Sequence, residues 1–378
     1  MTRIVHIAAC CAAAAATAAA QVQFSGQMAA DFYRSGATQA PRAVDNGRPS
    51  FGWDTRLFFE GQPAEHVTAL GNIRATNTDA ITFDYVALRL TDITPLGLNI
   101  QAGKFDLPFG NLGERRFPRK NFLLGLPSIY EYRTALPDHF TPGTDYRIVP
   151  ERDILANAGR GAGMRLLDLG MYHTGAMVFG SAGIVDYALA LTTGTVSTTS
   201  YSTENYTSDL GKVARLAVTP FTGLTLGAAY DWGAYMQSAY PLPGNEDVAA
   251  YKERAAEADL EFSRGHAVLY AEAVGASFTV PLTTGDQDLR VLGYYAEGKY
   301  TLMPRLYVAL RVSGLQFGTA TLGAAQGPWD YDLVEWEGGF GFFLDRDVLL
   351  KAVRRETRTR GGSDPKDSLT ALQLVVAY

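Results

Sequence analysis

The chain has 378 residues, including 39 glycines, 20 tyrosines and 19 phenylalanines, with 19% charged residues and a net charge of −6. That length allows one large β domain or two or three smaller ones, and the glycine-rich, aromatic-rich, charge-poor make-up is that of an all-β protein rather than a helical one. The negative balance, with no basic domain standing out, argues against a nucleic-acid partner.

The first stretch, MTRIVHIAACCAAAAATAAAQVQFSG, sets Arg3 ahead of an alanine-rich apolar run, with Ala18, Ala19 and Ala20 before Gln21. This order predicts a secretory signal peptide over 1–20, cut after Ala20. A lipoprotein box ending at Cys10 leaves too short an apolar run before it, and a disordered tail is the plainer alternative. Cys10 and Cys11 both fall in the leader, so the exported part, 21–378, is expected to have no disulfide and no thiolate site. No later run reaches the roughly 18 apolar residues of a membrane helix. A membrane barrel stays open, because its strands alternate and hydropathy misses them.

From Val22 onward the period is two. Phe24, Met28 and Phe32 share a face against Gln23, Gln27 and Asp31. Leu224, Leu226, Tyr230 and Trp232 oppose Thr225 and Asp231, and Leu306, Val308 and Leu310 oppose Tyr307 and Arg311. Val334, Trp336, Phe340 and Leu344 oppose Glu335 and Glu337, and the final run sets Leu372, Leu374, Val376 and Tyr378 against Gln373. Such runs reach about nine to thirteen residues, the length of a tilted membrane-spanning strand.

The breaks alternate in length. Tight turns are predicted near 61–65, 92–97, 181–183, 220–223, 263–266, 302–305 and 344–347. Between them lie connections near 35–50, 77–79, 106–158, 195–209, 235–253, 278–287, 318–332 and 361–367, mostly longer and polar. Seven turns and eight loops join sixteen strands, with turns at one end of the sheet and loops at the other. An even number lets the strand ending at Tyr378 close on the strand beginning near Val22, leaving no edge. The expected fold is therefore all-β: a transmembrane antiparallel β-barrel of about sixteen strands over 21–378. The sixth strand is ambiguous, since 161–180 is long enough for two. Phe51, Trp53, Phe59, Tyr230, Trp232, Tyr294, Tyr300 and Tyr378 fall near strand ends on apolar faces, as interfacial girdles do.

Alternation sends Arg56, Arg74, Arg89, Arg215, Arg311, Lys351 and Arg355 inward as pore-wall cations. It sends Asp54, Glu60, Asp231, Asp259, Glu261, Glu272, Glu297, Glu335 and Glu337 inward as well. A charge facing lipid at mid-depth costs about 2–4 kcal/mol for Arg or Lys, so solvating a lumen is reason enough for this placement. The connection over 106–158 is too long for a plain link. It carries ERRFPRK, with Arg115, Arg116, Arg119 and Lys120, and further on Arg133. If this loop folds into the lumen, these residues narrow the pore and favour anions, because guanidinium and ammonium replace part of an anion's hydration shell. The alternative is a solvated charge run, or ion pairs to Glu114 and Glu131; basic and acidic residues nearly balance over 106–160.

Enzymatic readings find little. His66, His139, His173 and His266 are scattered without metal-ligand spacing, and no serine–histidine pairing is legible. GRGAG (159–163) lacks a surrounding β–α–β unit, and NYT (205–207) matches a glycosylation sequon by chance. No cofactor is implied.

The segment LNIQAGKFDLPFGNL (98–112) resembles the phosphate-selective porin O and P family of Gram-negative outer membranes. PERDI (150–154), VDYALALTTG (185–194), KVARLAVTPFTGLTLGAAYDWG (212–233), AEADLEFSRGHAVLYAEAV (256–274), GYYAEGKYTLMPRLYVALRVS (293–313) and GFGFFLDRDVLLKA (339–352) extend the likeness over roughly 22–378. The resemblance implies a sixteen-stranded barrel, a homotrimer and a third external loop folded inward. The expected function is a passive outer-membrane diffusion channel for small hydrophilic solutes or anions, surrounded by outer-membrane lipid, with the loop cluster and inward arginines setting its charge preference. That family's phosphate specificity needs a basic ladder down the pore, and the many carboxylates here depart from it. The alternatives are a plugged barrel serving as a surface scaffold or adhesin, and a secreted soluble β protein.

Overall fold

A computed structural model of the chain describes residues 22–35, 49–77, 81–94, 97–137, 163–199, 209–237, 247–282, 285–322, 325–360 and 366–378. The leader expected over 1–20, the part of the long connection over 138–162 with His139, and the NYT sequon lie outside the described residues.

Sixteen strands close into one antiparallel barrel. The first nine in chain order are β1 (Val22–Ser35), β2 (Pro49–Ala64), β3 (Val67–Thr76), β4 (Thr82–Leu90), β5 (Asn99–Asp106), β6 (Tyr172–Ala182), β7 (Val185–Thr192), β8 (Gly211–Phe221) and β9 (Leu224–Ala234). They are followed by β10 (Lys252–Arg264), β11 (Ala267–Leu282), β12 (Gly285–Met303) and β13 (Leu306–Phe317). A small hairpin, β14 (Thr319–Leu322) with β15 (Ala325–Pro328), stands apart from the wall. The barrel finishes with β16 (Leu333–Asp345), β17 (Val348–Thr359) and β18 (Lys366–Ala377). Each strand pairs with its neighbour in sequence, and β1 pairs with β18 in the register Gln27↔Ala377 to Ser35↔Leu369. Tyr378 completes the seam, exchanging backbone hydrogen bonds with Gly26 at 2.8 and 3.0 Å. The closing strand pair expected from the chain's two ends is thus present, and the unpaired edges are gone.

The tight turns near 181–183, 220–223, 263–266, 302–305 and 344–347 lie where the sequence places them; the first reversal falls at 65–66, the far end of the span 61–65, and the one near 92–97 includes residues 95–96, outside the described residues. Gly183 (φ 64) and Gly265 (φ 59) supply the left-handed backbone that such short reversals need. Two connections differ from expectation. Residues 278–287 are mostly strand, since β11 and β12 run on until only 283–284 separate them, their pairing continuing from Phe278↔Leu289 to Leu282↔Gly285. The sixth strand is single and begins at Tyr172, not near 161. Met164, Leu166, Leu167 and Met171 are buried away from the wall ladder, in a core shared with residues 105–136. Their spacing imitates a strand because they pack against a neighbouring segment: Thr134 N donates to Met164 O at 2.8 Å and Leu167 N to Ile129 O at 3.0 Å.

The closed sheet sorts its side chains by parity. On the outer face stand Phe24, Phe51, Leu88, Leu216, Leu310 and Trp336, all exposed apolar residues. Tyr230, Trp232, Tyr300 and Tyr378 are exposed there too, while Phe59 and Tyr294 are half-buried. On the inner face of the same strands the charges are buried: Arg311 at 1%, Glu297 at 2%, Glu335 and Glu337 at 1% and Lys351 at 0% exposure. Polar side chains withdrawn from the exterior while large apolar ones stay outside is the reverse of a water-soluble sheet protein. Among the described residues no helix is long and apolar enough to cross a membrane, which says nothing of strands.

Candidate functional site

The inner face is occupied by residues 107–137, which leave β5 after Asp106. Leu107, Phe109 and Leu112 are buried as the chain enters. Asn111 fixes the entry: its side-chain nitrogen donates to the carbonyls of Leu260 and Ala271 at 3.2 and 3.1 Å. A single 3₁₀ turn over Gly113–Arg116 follows. In so tight a turn successive side chains point about a third of a revolution apart, so Arg115 and Arg116 diverge. Arg115 donates to Glu297 at 3.2 Å and to the Tyr295 hydroxyl at 2.7 Å, and its guanidinium lies 3.6 Å from the centre of the Tyr270 ring. Arg116 grips both oxygens of Asp106 at 2.9 and 3.0 Å and also donates to the carbonyls of Gly113 and Gly170.

The segment then reaches the turn end of the barrel. Arg119 N donates to Gln27 at 2.9 Å, and its guanidinium donates to the carbonyl of Arg346, in the turn between β16 and β17, at 2.5 Å. Phe117 packs edge-on against Phe58 at 5.1 Å, with Arg56 over its ring at 4.9 Å. Lys351 reaches from β17 to three carbonyls, Pro118 at 2.8 Å, Asn121 at 3.1 Å and Leu123 at 2.9 Å. Three acceptors engage all three N–H bonds of an ammonium. On the way back, Glu337 accepts from the backbone of Leu124 and Gly125 at 3.2 and 3.3 Å, and Ser313 accepts from Ser128 N at 3.1 Å.

A single helical turn, α1 (Ser128–Glu131), presents Tyr130, whose hydroxyl donates to both oxygens of Glu272 at 2.9 Å. Burial, reinforced by the Glu272 charge, pushes that hydroxyl well above its ordinary pKa, so it remains a donor. Tyr132 and Ala135 N donate to Asp330 at 2.9 and 2.8 Å. A second limb, 163–171, packs on the first; burial raises the pKa of its Asp168, opposed by Arg165 at 3.4 Å. Buried ion pairs of this kind return little net stability after desolvation. Their effect is positional, fixing a long segment against β1, β2, β5, β6, β11–β13, β16 and β17.

All seven cations expected on the wall take the inner parity, and each has a partner. Arg56 meets Asp54 at 2.9 Å and Asp84 at 2.7 Å, and Arg74 meets Asp54 at 2.9 Å. Arg89 donates to Gln101 at 2.9 Å, and Arg215 meets Glu257 and Asp259 at 3.3 and 2.7 Å. Arg311 bridges Glu297 at 2.8 Å and Glu337, and Arg355 meets Glu131 at 3.4 Å and Glu335 at 3.7 Å. The five expected loop cations are dispersed. Arg115 and Arg116 are matched by carboxylates, Arg119 lies at the turn end, and Arg133 donates to Gly163 O at 3.2 Å. Lys120 is exposed and 3.6 Å from Glu114. Glu60 and Glu261, expected inward, are exposed near the turns, where the wall ends.

Comparison with known proteins adds the fold. No family model matches the sequence, and no curated protein matches it. Solved barrels do match. OmpT of Vibrio cholerae in its trimer form is 12% identical, with a TM-score of 0.58 over 96% of this chain and 100% of that one. Salmonella typhi OmpF, in complex with daunomycin, is 9% identical with a TM-score of 0.58, covering 95% and 98%. The outer membrane channel DcaP of Acinetobacter baumannii is 12% identical with a TM-score of 0.57, covering 96% and 99%. The likeness is one of fold.

Several participants escaped the sequence reading. Glu253 and Glu257 share the inner parity of Asp259 on β10, and the same alternation finds them. Glu253 accepts from Ser197 at 2.5 Å and from Thr195. Lys299 is inward too, with its ammonium 4.3 Å from the Phe122 ring. Among the described residues no group of three or more His, Cys, Asp or Glu side chains is placed to hold a metal ion.

Proposed function

We propose that this chain is a porin of the Gram-negative outer membrane, a passive diffusion channel for small hydrophilic solutes, exported by a signal peptide over 1–20. The observation that carries the reading is the partition of side chains in a closed sixteen-stranded sheet, apolar outside and charged inside. Residues 107–137 are the constriction, a third loop folded into the lumen and tied to the wall. The chemistry is diffusion, with no covalent step and no cofactor. A homotrimer is proposed on the likeness to a barrel solved in trimer form.

The family resemblance over 98–112 favours the O and P porins, and a preference for anions would come from the cations of the inserted segment. Arg115 and Arg116 are matched by Glu297 and Asp106, so the preference would rest on Arg119, Lys120 and Lys299, with Arg133 behind them. A phosphate-specific path needs a row of unmatched cations, and the wall cations are matched, so the proposal stops at small anions. A second reading, a plugged barrel acting as a surface scaffold, is favoured by the buried apolar cluster around Ile129, Tyr130 and Leu166. Swelling of proteoliposomes in isosmotic sugar or amino-acid solutions tests the two. A channel swells the vesicles at rates that fall with solute size; a plugged scaffold leaves them unchanged.

A further inference from the structure

The outer wall carries a groove of about 580 Å³ across β9–β13 near their loop ends. Its floor is small: Ala256 on β10 stands beside Gly275 on β11 in register. Tyr230 and Leu292 form the sides of the same cross-strand row. One row closer to the loops the register runs Lys212, Trp232, Arg254, Ser277, Arg290. Parity turns Arg254 and Arg290 outward, because Glu253, Ala255 and Leu289 beside them are buried inside.

Both arginines are exposed, and among the described residues neither guanidinium has an ion-pair or hydrogen-bond partner. Lys212 and Lys252, by contrast, are held by Asp209 at 3.3 and 2.6 Å. The nearest outward carboxylate along β12, Asp288, accepts from the Thr279 hydroxyl at 2.7 Å. Arg254 and Arg290 are two strands apart, about 9.6 Å between backbones, within reach of one anion set over Ser277. Below them the outer face of β10 continues through Ala256, Ala258, Leu260 and Phe262. Arg254 to Arg264 spans the roughly 9–11 residues that cross a bilayer, which puts the arginine row at headgroup depth.

We propose that this groove binds a phosphorylated lipid of the surrounding leaflet. The phosphate is clamped by Arg254 and Arg290, and the first acyl segment lies over Ala256 and Gly275 between Tyr230 and Leu292. Two free guanidiniums directly above an apolar trough complement a molecule that is anionic at one end and hydrocarbon at the other. The inference rests on the barrel being membrane-embedded, and its test separates the two.

The full-length exported chain, refolded in neutral detergent, is titrated with diphosphoryl lipid A and followed by native mass spectrometry. Wild type should retain one lipid per chain in preference to its dephosphorylated form, and R254A/R290A should bind at least about ten-fold more weakly. G275L, at a position where an added Cβ meets nothing within 4 Å, should fold and lose the lipid while keeping both arginines. Inorganic phosphate at a hundred-fold excess should not displace the lipid. Equal retention by wild type and both variants, or displacement by phosphate alone, overturns the proposal. Failure of the wild type to enter vesicles at all would instead overturn the membrane reading beneath it.

Discussion

Lys351→Met should loosen the inserted segment without unfolding the barrel. In wild type the fully buried ammonium serves three carbonyls, those of Pro118, Asn121 and Leu123. Methionine keeps the unbranched apolar stem as far as Cε and removes every donor. Each buried acceptor left unpaired costs about 1–3 kcal/mol, so three give about 3–9 kcal/mol if the segment stays in place. Even the lower figure changes a local equilibrium more than a hundred-fold. The segment can avoid the whole cost by moving off the wall to water, whereas the sixteen paired strands stay hydrogen-bonded. Of the remaining ties over this stretch, Tyr307 to Phe122 O at 3.0 Å and Arg119 N to Gln27 at 2.9 Å are uncharged and weaker, while the Arg119 guanidinium on Arg346 O and Glu337, accepting from Leu124 N and Gly125 N, hold its two ends. Single-channel recording should therefore show larger, noisier currents for K351M, and a protease added to the folded protein should cut within 117–125. The reasoning fails if K351M folds normally yet matches wild type in both conductance and cleavage.

Other expectations follow from the same contacts. R119Q/K120Q should move the reversal potential in a salt gradient toward cation preference; no movement would remove both residues from the filter. The Asp209 carboxylate is held below its ordinary range first by the hydrogen bond from Lys252 and then by Lys212. A carboxylate with a depressed folded pKa contributes stability above its unfolded value, and that contribution is lost as pH falls through the folded value. Hydrogen-exchange protection near residues 209–212 and 252, measured against the intrinsic rate at each pH, should thus fall in acid, and D209N should show the low protection at every pH. Ala30 faces Leu374 across the seam, so A30C/L374C should oxidise to a disulfide that shifts electrophoretic mobility of the denatured chain. Absence of that cross-link in the folded protein would contradict closure by β1 and β18.

Much of the fold was legible because a closed sheet leaves a periodic trace. Leu372 to Tyr378 alternate outward as read, and the turns at 181–183 and 263–266 carry the glycines that their backbone requires. Arg311, Lys351 and Arg355 are buried on the inner parity for the same reason. What alternation cannot encode is the partner across the lumen. That Lys351 clasps three carbonyls over two hundred residues earlier depends on tertiary placement alone. Residues 164–171 misled because packing on an adjacent segment also favours alternate apolar positions. ERRFPRK read as one basic patch because sequence proximity was taken for spatial proximity, yet a 3₁₀ turn sends Arg115 toward β12 and Arg116 toward β5.

The central claim is that water and solutes pass through this barrel beside the inserted segment. Recording purified protein in a planar lipid bilayer tests it most directly. The account predicts stable unitary current steps whose size grows in proportion to the conductivity of the bathing salt. Protein that is folded and inserted, shown by heat-dependent mobility and vesicle flotation, yet passes no current would contradict it.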